Sequence, residues 1–493
     1  MTDQIFPFDN SYARLPDRLF ARVSPAPAPT PQLLQLNRPL AEELGLDPDR
    51  LASPEGIAVL SGRRVAASAD PIAMAYAGHQ FGNWVPQLGD GRALLLGEVI
   101  DRNGRRRDIQ LKGSGRTPFS RGGDGKAPLG PVLREFIVSE AMAALGIPTT
   151  RSLAAVATGE HVVRDTVQPG AVLTRVAASH VRIGTFQYFY ARRDAEALQA
   201  LTDHVIARHY PEITAADVPA LALLEKVMER QANLVAQWMG VGFIHGVMNT
   251  DNMTISGETI DYGPCAFMDT FREGQVFSSI DVAGRYAYGN QPRIAQWNLA
   301  QLAQALLPLI PGDDDAAVEA AQATIDRFPD LFRDAWLSVM RRKLGLSTAA
   351  EGDAELISTL LSTMEAGRAD FSLTFRRLAD HSGPDTEGRP QARDLFADPA
   401  AFDTWAERWH ARLATDPMQP AERDEMMRTA NPLFIPRNHR VEEALTAAQD
   451  GDLQPLEKLR GVLARPFDHQ PDEASLALPP QSHEVVAQTF CGT

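Results

Sequence analysis

The sequence has little cysteine, too few basic residues to balance its acidic ones, and no long apolar run. Two cysteines in 493 residues, Cys265 and Cys491, are too few for a disulfide-stapled secreted domain. The formal net charge of −15 argues against general affinity for nucleic acid or for anionic membranes. No stretch approaches the about 18 uninterrupted apolar residues of a membrane-spanning helix. We therefore expect a globular protein with no nucleic-acid and no membrane partner.

The N-terminal stretch MTDQIFPFDNSYARL has no charged-then-apolar pattern of an export signal. Its early acidic residues also argue against a mitochondrial transit peptide. These features predict a cytoplasmic enzyme, and we expect it to be a monomer.

Strand patterns and helix patterns occupy different parts of the chain. Between about 90 and 180, apolar and β-branched stretches predict strands, among them RALLLGEVI, RRDIQLKG and AVLTRVA. One helix interrupts them, PVLREFIVSEAMAALGIP, with Pro131 at its start and a Gly146/Pro148 stop. From about residue 187 onward the pattern is mostly helical. Strands, a helix and further strands in this order are typical of a kinase N-lobe.

Glycine-rich and basic stretches form the first candidate site. In QLGDGRALLLGEVI, Gly89 and Gly91 precede Arg92 at the start of a strand, where backbone N–H groups and a guanidinium could meet phosphate. A GDG turn alone is more often a plain hairpin turn. Lys112 ends the next strand, as the phosphate-pairing lysine of a kinase does. The loop after it holds six glycines together with Arg116, Arg121 and Lys126, and in an acidic protein this composition predicts an anion site.

Two acidic residues of the predicted helix, Glu135 and Glu140, could hold Lys112 by an ion pair. Glu135 is preferred because it lies in the first turns beside apolar residues, but spacing leaves Glu140 open. Arg175 lies within an apolar run, and Arg182 follows seven residues later. Buried arginine needs an anionic partner, either a protein carboxylate or a nucleotide phosphate.

The stretch HGVMNTDNM resembles a kinase catalytic loop without its base. The kinase aspartate would stand at position 247, which is Val here, and Asn252 follows five residues later. We expect a strand–turn–strand after this loop, so that Asn252 and Asp261 bracket one magnesium site. Asp251, next to Asn252, is the candidate replacement base. A phosphotransferase with Asp251 as substitute and a non-catalytic pseudokinase scaffold remain alternatives.

Longer runs carry a closer resemblance. MAYAGHQFGNWVPQLGDGRA, LKGSGRTPFSRGGDGKAPLGPVLREF, GFIHGVMNTDNM and the antepenultimate Cys491 are similar to the selenoprotein O family of protein adenylyltransferases, over essentially the whole chain. The resemblance implies an α+β, protein-kinase-like (pseudokinase) fold that binds ATP in a flipped orientation and transfers AMP to Ser, Thr or Tyr hydroxyls of proteins. It also implies Mg²⁺, with Mn²⁺ as an alternative, and ATP as substrate.

On the same basis, the expected architecture is a two-lobed core with additions at both ends. We predict an N-terminal extension over 1–75, an N-lobe over 76–180, a C-lobe over 181–330 with the catalytic and metal-binding loops, and a helical C-terminal extension over 331–493 with a redox tail.

The resemblance implies roles for particular residues. Asp251 would be the proton acceptor, Glu135 the partner of the lysine, and Asn252 and Asp261 the metal ligands. The expected nucleotide contacts are Gly89, Gly91, Arg92, Lys112, Asp124, Gly125, Glu135, Arg175, Arg182 and Asp261.

The two cysteines form the last candidate site. Cys265 lies four residues after Asp261, and Cys491 is third from the end. An inert, buried Cys265 and an unimportant Cys491 are the plain alternative. Relatives with selenocysteine at the tail position imply redox use, so we predict an inhibitory Cys265–Cys491 disulfide under oxidising conditions.

Overall fold

The structure is a computed structural model that describes residues 5–380, 391–486 and 489. The described chain has an α+β fold, with the predicted strands in its first part and helices in its second. Among the described residues, no helix combines the length and the apolarity needed to cross a membrane.

The strands are β1 (Phe20–Arg22), β2 (Gln32–Leu36), β3 (Ile72–Met74), β4 (Gly78–Gln80), β5 (Asn83–Val85), β6 (Ala93–Ile100), β7 (Arg106–Lys112), β8 (Ala127–Pro128), β9 (Arg151–Val163), β10 (Val167–Ala177), β11 (Phe243–Ile244) and β12 (Ala266–Phe267). The helices are α1 (Arg38–Glu43), α2 (Pro48–Ala52), α3 (Pro54–Leu60), α4 (Leu129–Ala144), α5 (Ile183–Ala191), α6 (Ala195–His209), α7 (Pro219–Gly240), α8 (Gln291–Leu306), α9 (Asp314–Ile325), α10 (Phe328–Lys343), α11 (Asp353–Gly367), α12 (Phe371–Asp380), α13 (Pro399–Ala414), α14 (Pro420–Ala430), α15 (Asn438–Gln449) and α16 (Gln454–Leu463).

An antiparallel sheet orders its strands β1-β3-β6-β7-β10-β9-β2, and β8 pairs with β10. Strands β1 and β2 lie within the predicted N-terminal extension, residues 1–75. They nevertheless belong to the same sheet as the strands that follow that extension. In the register of β7 with β10, Arg175 faces Gln110 and Leu173 faces Lys112. Side chains alternate along a strand, so Gln110, Lys112 and Arg175 lie on one face of the sheet.

Helix α4 lies between the sheet and the C-terminal helices. Its apolar residues Leu133, Phe136 and Ile137 join a buried cluster with Ala155 and Leu173 of the sheet. Further members of this cluster come from α15 and α16: Val441, Ala444, Leu445, Leu456 and Leu459. Arg134 adds polar contacts, donating to the carbonyl of Cys265 and to Asn438 Oδ1, each at 2.7 Å. The end of the chain thus packs on the helix that carries Glu135.

A short strand pair, β11 with β12, closes the base of the loop region 245–265 through the pairing of Phe243 with Phe267. The expected strand–turn–strand over 253–260 is not formed. Thr254 instead bridges Arg182, and Thr259 bridges Thr149. Because the two sides pair with other segments, they do not need to pair with each other.

Candidate active site

Lys112 and Arg175 contact the same buried carboxylate of α4. Lys112 Nζ lies 2.5 Å from Glu135 Oε2, and Arg175 Nε donates to Glu135 Oε1. Glu140 instead pairs with Arg151 at 2.7 Å and accepts from the backbone N–H of Ser152. The structure therefore places Glu135, and not Glu140, beside the lysine.

Asp261 is the second carboxylate of this cluster. Arg175 Nη2 and Arg182 Nη1 each lie 2.5 Å from one of its oxygens, and Lys112 Nζ lies 3.8 Å away. Its backbone has φ of 61°, a left-handed conformation that turns the chain sharply after Ile260. Three cations thus surround one carboxylate, whose side chain is 23% exposed.

Charge and burial act against each other in the cluster. Burial would raise the pKa of Asp261, but Arg175, Arg182 and Lys112 outweigh it and hold that pKa well below its ordinary value. Burial likewise opposes ionisation of Glu135, yet Arg175 and Lys112 hold its pKa below the usual range. Burial, assisted by the charge of Arg175, lowers the pKa of Lys112. Both carboxylates are therefore ionised at neutral pH.

Asp251 lies in a different environment. It belongs to a short 3-10 turn, Thr250–Asn252, and is only 6% exposed. Its Oδ2 accepts from Gln80 Nε2 at 3.2 Å, and its backbone carbonyl accepts from Arg182 Nη1 at 2.6 Å. Burial raises the pKa of Asp251 to about 6, although Arg182 and Gln80 lower it. A carboxylate of this pKa is mostly ionised at pH 7 and can still accept a proton.

Asn252 and Val247 are linked across the loop. The amide nitrogen of Asn252 donates to the Val247 carbonyl at 2.9 Å, which fixes the orientation of the amide. His245 is fully buried, and its Nε2 lies 2.8 Å from the carbonyl of Ile260, next to Asp261. His245 thus has a structural role in this loop. Val247 contributes only its backbone oxygen to the contact with Asn252.

The GDG turn packs under the glycine-rich loop. Gly89 has φ of 77°, and a Cβ there would lie 2.3 Å from Cγ of Phe119. A Cβ at Gly91 would lie 2.8 Å from the Phe119 carbonyl oxygen. Packing of the loop therefore requires glycine at both positions, whether or not a ligand binds there. Arg92 follows, close enough to Lys112 that its charge lowers the pKa of the lysine.

Asp124 and Gly125 hold the glycine-rich loop together. Arg164 makes two hydrogen bonds to the Asp124 carboxylate, at 2.9 and 3.0 Å. This contact, with lesser help from Lys126, lowers the pKa of Asp124 to about 2. Gly125 accepts from the Gly115 N–H at 3.0 Å. Contact of these residues with a nucleotide stays a prediction.

The predicted cysteine pair is only partly described. Cys265 is fully buried, whereas Cys491 lies outside the described residues. Thr489, two residues before Cys491, donates its hydroxyl to the carbonyls of Pro264 and Phe277 at 2.8 and 2.9 Å. The chain at residue 489 therefore lies beside the residue that precedes Cys265.

The structure brings to the site several residues for which the sequence carries no signal of a role. Tyr76 places its ring 4.7 Å from the guanidinium carbon of Arg182. Gln110 lies 3.4 Å from Arg175 Nη1, and Gln80 contacts Asp251. Tyr76 and Gln80 belong to MAYAGHQFGNW, a run that carries the family resemblance. The run itself does not indicate what these two side chains contact.

Asn252 and Asp261 carry the kinds of oxygen ligand that a magnesium ion prefers. Mg²⁺ prefers oxygen ligands and commonly takes only one or two carboxylates from the protein, completing its shell with water and phosphate. Asp261 is ionised, and the amide oxygen of Asn252 points away from the bond that its nitrogen makes. Across the described residues, no group of three or more His, Cys, Asp or Glu side chains could hold a metal by itself. These residues therefore suit a site in which the protein and a nucleotide phosphate together supply the ligands of the ion.

Comparison with known proteins gives the class and then the family. The model of the family described as protein adenylyltransferase SelO matches residues 5–464. The protein nucleotidyltransferase YdiU of Rhodopseudomonas palustris (strain BisB5) is 64% identical over 489 residues, 99% of each chain. Its namesakes from Bradyrhizobium sp. (strain ORS 278) and Methylorubrum populi (strain ATCC BAA-705 / NCIMB 13946 / BJ001) are each 62% identical, again over 99% of both chains. The protein is therefore an enzyme of the nucleotidyltransferase class. It belongs to the protein adenylyltransferase SelO family.

Proposed function

We propose that this enzyme transfers AMP from ATP to Ser, Thr or Tyr hydroxyls of other proteins, on a kinase-like fold and with the nucleotide in a flipped orientation. In this proposal the kinase-like core divides as expected into lobes at 76–180 and 181–330. The observation that carries the proposal is the presence of two carboxylates in different surroundings. Asp261 lies among cations, whereas the buried side chain of Asp251 has no cation partner among the described residues.

The cation cluster supports triphosphate binding. Lys112, Arg175 and Arg182 bring three positive charges to the two carboxylates Glu135 and Asp261. This leaves positive charge in a nearly dry site, where it interacts strongly with an anion. The arginines bind phosphate oxygens by forked hydrogen bonds, and Glu135 keeps Lys112 in place. Arg92, Asp124 and the glycines Gly89, Gly91 and Gly125 belong to the proposed nucleotide site.

Asn252 and Asp261 would hold Mg²⁺, or Mn²⁺ as the alternative. When bound, the ion neutralises phosphate charge and helps to orient the phosphate for attack. Asp251 takes the proton from the acceptor hydroxyl, whose oxygen attacks the α-phosphate while pyrophosphate leaves. Position 247 contributes no base, because valine cannot accept a proton.

ATP labelled on the α- or the γ-phosphate tests the proposal. With a protein acceptor such as the enzyme itself, we expect α-label to become covalently attached and γ-label to leave as pyrophosphate. Transfer of γ-label would instead show a phosphotransferase, and binding without transfer a scaffold. Mapping the labelled residues by mass spectrometry identifies the acceptor hydroxyl.

We also propose that Cys265 and Cys491 form a regulatory disulfide. The position of Thr489 beside Pro264 supports it, because residue 489 lies two positions before Cys491 and beside the segment that contains Cys265. Formation of the bond removes two electrons and two protons to an oxidant such as a peroxide, and a thiol reductant reverses it. We expect dithiothreitol to activate the oxidised wild type and not Cys491→Ser. An equal reductant response in both proteins contradicts the switch.

A further inference from the structure

The hairpin of β4 and β5 contacts the catalytic loop through two backbone groups. The N–H of His79 donates to Thr250 Oγ1 at 2.7 Å, and the N–H of Phe81 donates to Asn249 Oδ1 at 3.0 Å. Thr250 and Asn249 immediately precede Asp251. The hairpin residues on both sides of Gln80 therefore hold the side chains of the two loop residues before Asp251.

Gln80 lies between these two anchors and reaches the carboxylate itself. Its Nε2 lies 3.2 Å from Asp251 Oδ2. Arg182 donates to the backbone carbonyl of Asp251 and not to its side chain. Within the described part of the chain, Gln80 is thus the side chain that sets the rotation of the Asp251 carboxylate.

The other carboxylate oxygen lies against the backbone at Gly78. In the described residues, Oδ1 of Asp251 is buried and accepts no hydrogen bond. A Cβ at position 78 would lie 2.7 Å from this oxygen, so Gly78 provides the space in which it stands. A buried oxygen without a partner is costly, and such a cost is expected where a substrate group completes the contact.

We propose that Gln80 is a positioning residue, which holds Oδ2 of Asp251 and thereby sets the orientation in which this carboxylate meets the acceptor hydroxyl. The inference rests on the proposed function, because it assumes that Asp251 accepts the proton of that hydroxyl. Residues 78–81, GHQF, then each have a function. Gly78 leaves space for Oδ1 of Asp251, and the backbone N–H groups of His79 and Phe81 bind the loop. Gln80 binds the carboxylate.

A double-mutant cycle tests this role. The rate of AMP transfer and the KM for ATP are measured for wild type, Gln80→Ala, Asp251→Ala and the double variant. We expect Gln80→Ala to lower kcat about 10- to 100-fold, the effect of a misaligned reacting group, with the KM for ATP nearly unchanged. In the Asp251→Ala background the same change should have almost no further effect, because Gln80 acts through Asp251.

Two further variants separate positioning from packing. Gln80→Glu keeps the size of the side chain but removes the N–H donor, so it should be at least as slow as Gln80→Ala. Gln87→Ala, which changes an exposed glutamine outside the hairpin, is the matched control and should behave as wild type. Thermal melting of each variant checks the fold, and Gln80→Glu carries the test if Gln80→Ala melts early.

The outcomes are distinguishable. Wild-type turnover in Gln80→Glu, or losses that multiply in the double variant, would overturn the positioning role while Asp251→Ala remains slow. No AMP transfer by wild type, or full activity of Asp251→Ala, would overturn the proposed function itself.

Discussion

Asp251 and Asp261 lie ten positions apart in one segment, yet their surroundings are opposite. Asp261 is surrounded by Arg175, Arg182 and Lys112, and these charges hold its pKa well below the ordinary value. The Asp251 side chain has a glutamine as its partner, and burial raises its pKa to about 6.

The difference shows how one loop segment can serve two kinds of chemistry. A carboxylate that is always ionised can bind a cation but is a poor proton acceptor. A buried carboxylate with a pKa nearer to neutrality accepts a proton more readily. Two carboxylates whose environments move their pKa values apart are the usual basis for separate roles in catalysis.

The largest effect is expected where charge faces the triphosphate. Asp261→Ala and Lys112→Ala should each lower AMP transfer by about 10³-fold, because each removes a charged group from a nearly dry site. Chelating divalent metal should abolish transfer by the wild type. Label transfer from α-labelled ATP measures both effects, and near-normal turnover of either variant would contradict the cation-cluster assignment.

Asp251→Ala tests the other side of the comparison. We expect a loss of about 10²-fold or more in transfer, with nucleotide binding largely intact, since Asp251 acts on the acceptor hydroxyl and not on the phosphates in the proposed mechanism. Val247→Ala is the control at the position of the kinase base and should keep most of its activity. Equal damage by both changes would show that the loop, and not the carboxylate, matters.

Glu135 and Glu140 offer a matched pair on one helix. Glu135→Gln removes the charge that holds Lys112, and we expect about a tenfold loss of transfer. Glu140→Gln weakens bonds from Arg151 and Ser152 outside the cluster, so transfer should be unchanged while the free energy of unfolding falls by about 1–3 kcal/mol. Urea unfolding and label transfer separate the two results, and a reversed pattern would reassign the lysine's partner.

Lys343 is a buried lysine whose contacts differ from the carboxylate-rich environment of Lys112, Arg175 and Arg182: its hydrogen-bond partner is an amide oxygen. Its Nζ lies 2.8 Å from Asn431 Oδ1 and 4.2 Å from the ring centre of Phe375, and no carboxylate of the described residues pairs with it. Burial lowers the pKa of Lys343 from 10.5 to about 7.

The unfolded chain therefore binds more protons between pH 7 and 10.5, and this residue makes the protein more stable as the pH rises through that range. Lys343→Met should remove this pH dependence and raise the free energy of unfolding at pH 7 by about 1–4 kcal/mol, with transfer unchanged. Urea unfolding of wild type and Lys343→Met at pH 7 and pH 9.5 measures this change in the free energy of unfolding. A variant less stable than wild type at pH 7 would show that the amine is well accommodated.

The sequence was sufficient for features that depend on local pattern. The strand ending at Lys112 and the helix carrying Glu135 follow from apolar periodicity and from a Pro and Gly boundary, and both are confirmed. The expected strand–turn–strand over 253–260 was wrong, because its partners Thr149 and Arg182 are distant in sequence. The contact of Gln80 with Asp251 was not predicted for the same reason, because no local pattern around a glutamine indicates a partner 171 residues away.

The packing of α15 and α16 on α4 has a consequence for biosynthesis. These helices come from the last sixth of the chain and are synthesised after every residue of the cation cluster. Until they emerge from the ribosome, α4 lacks the apolar cover of Val441, Leu445, Leu456 and Leu459, and Glu135 lacks a firmly held helix. A nascent or C-terminally clipped chain should therefore bind nucleotide poorly and have little transferase activity until these helices are in place.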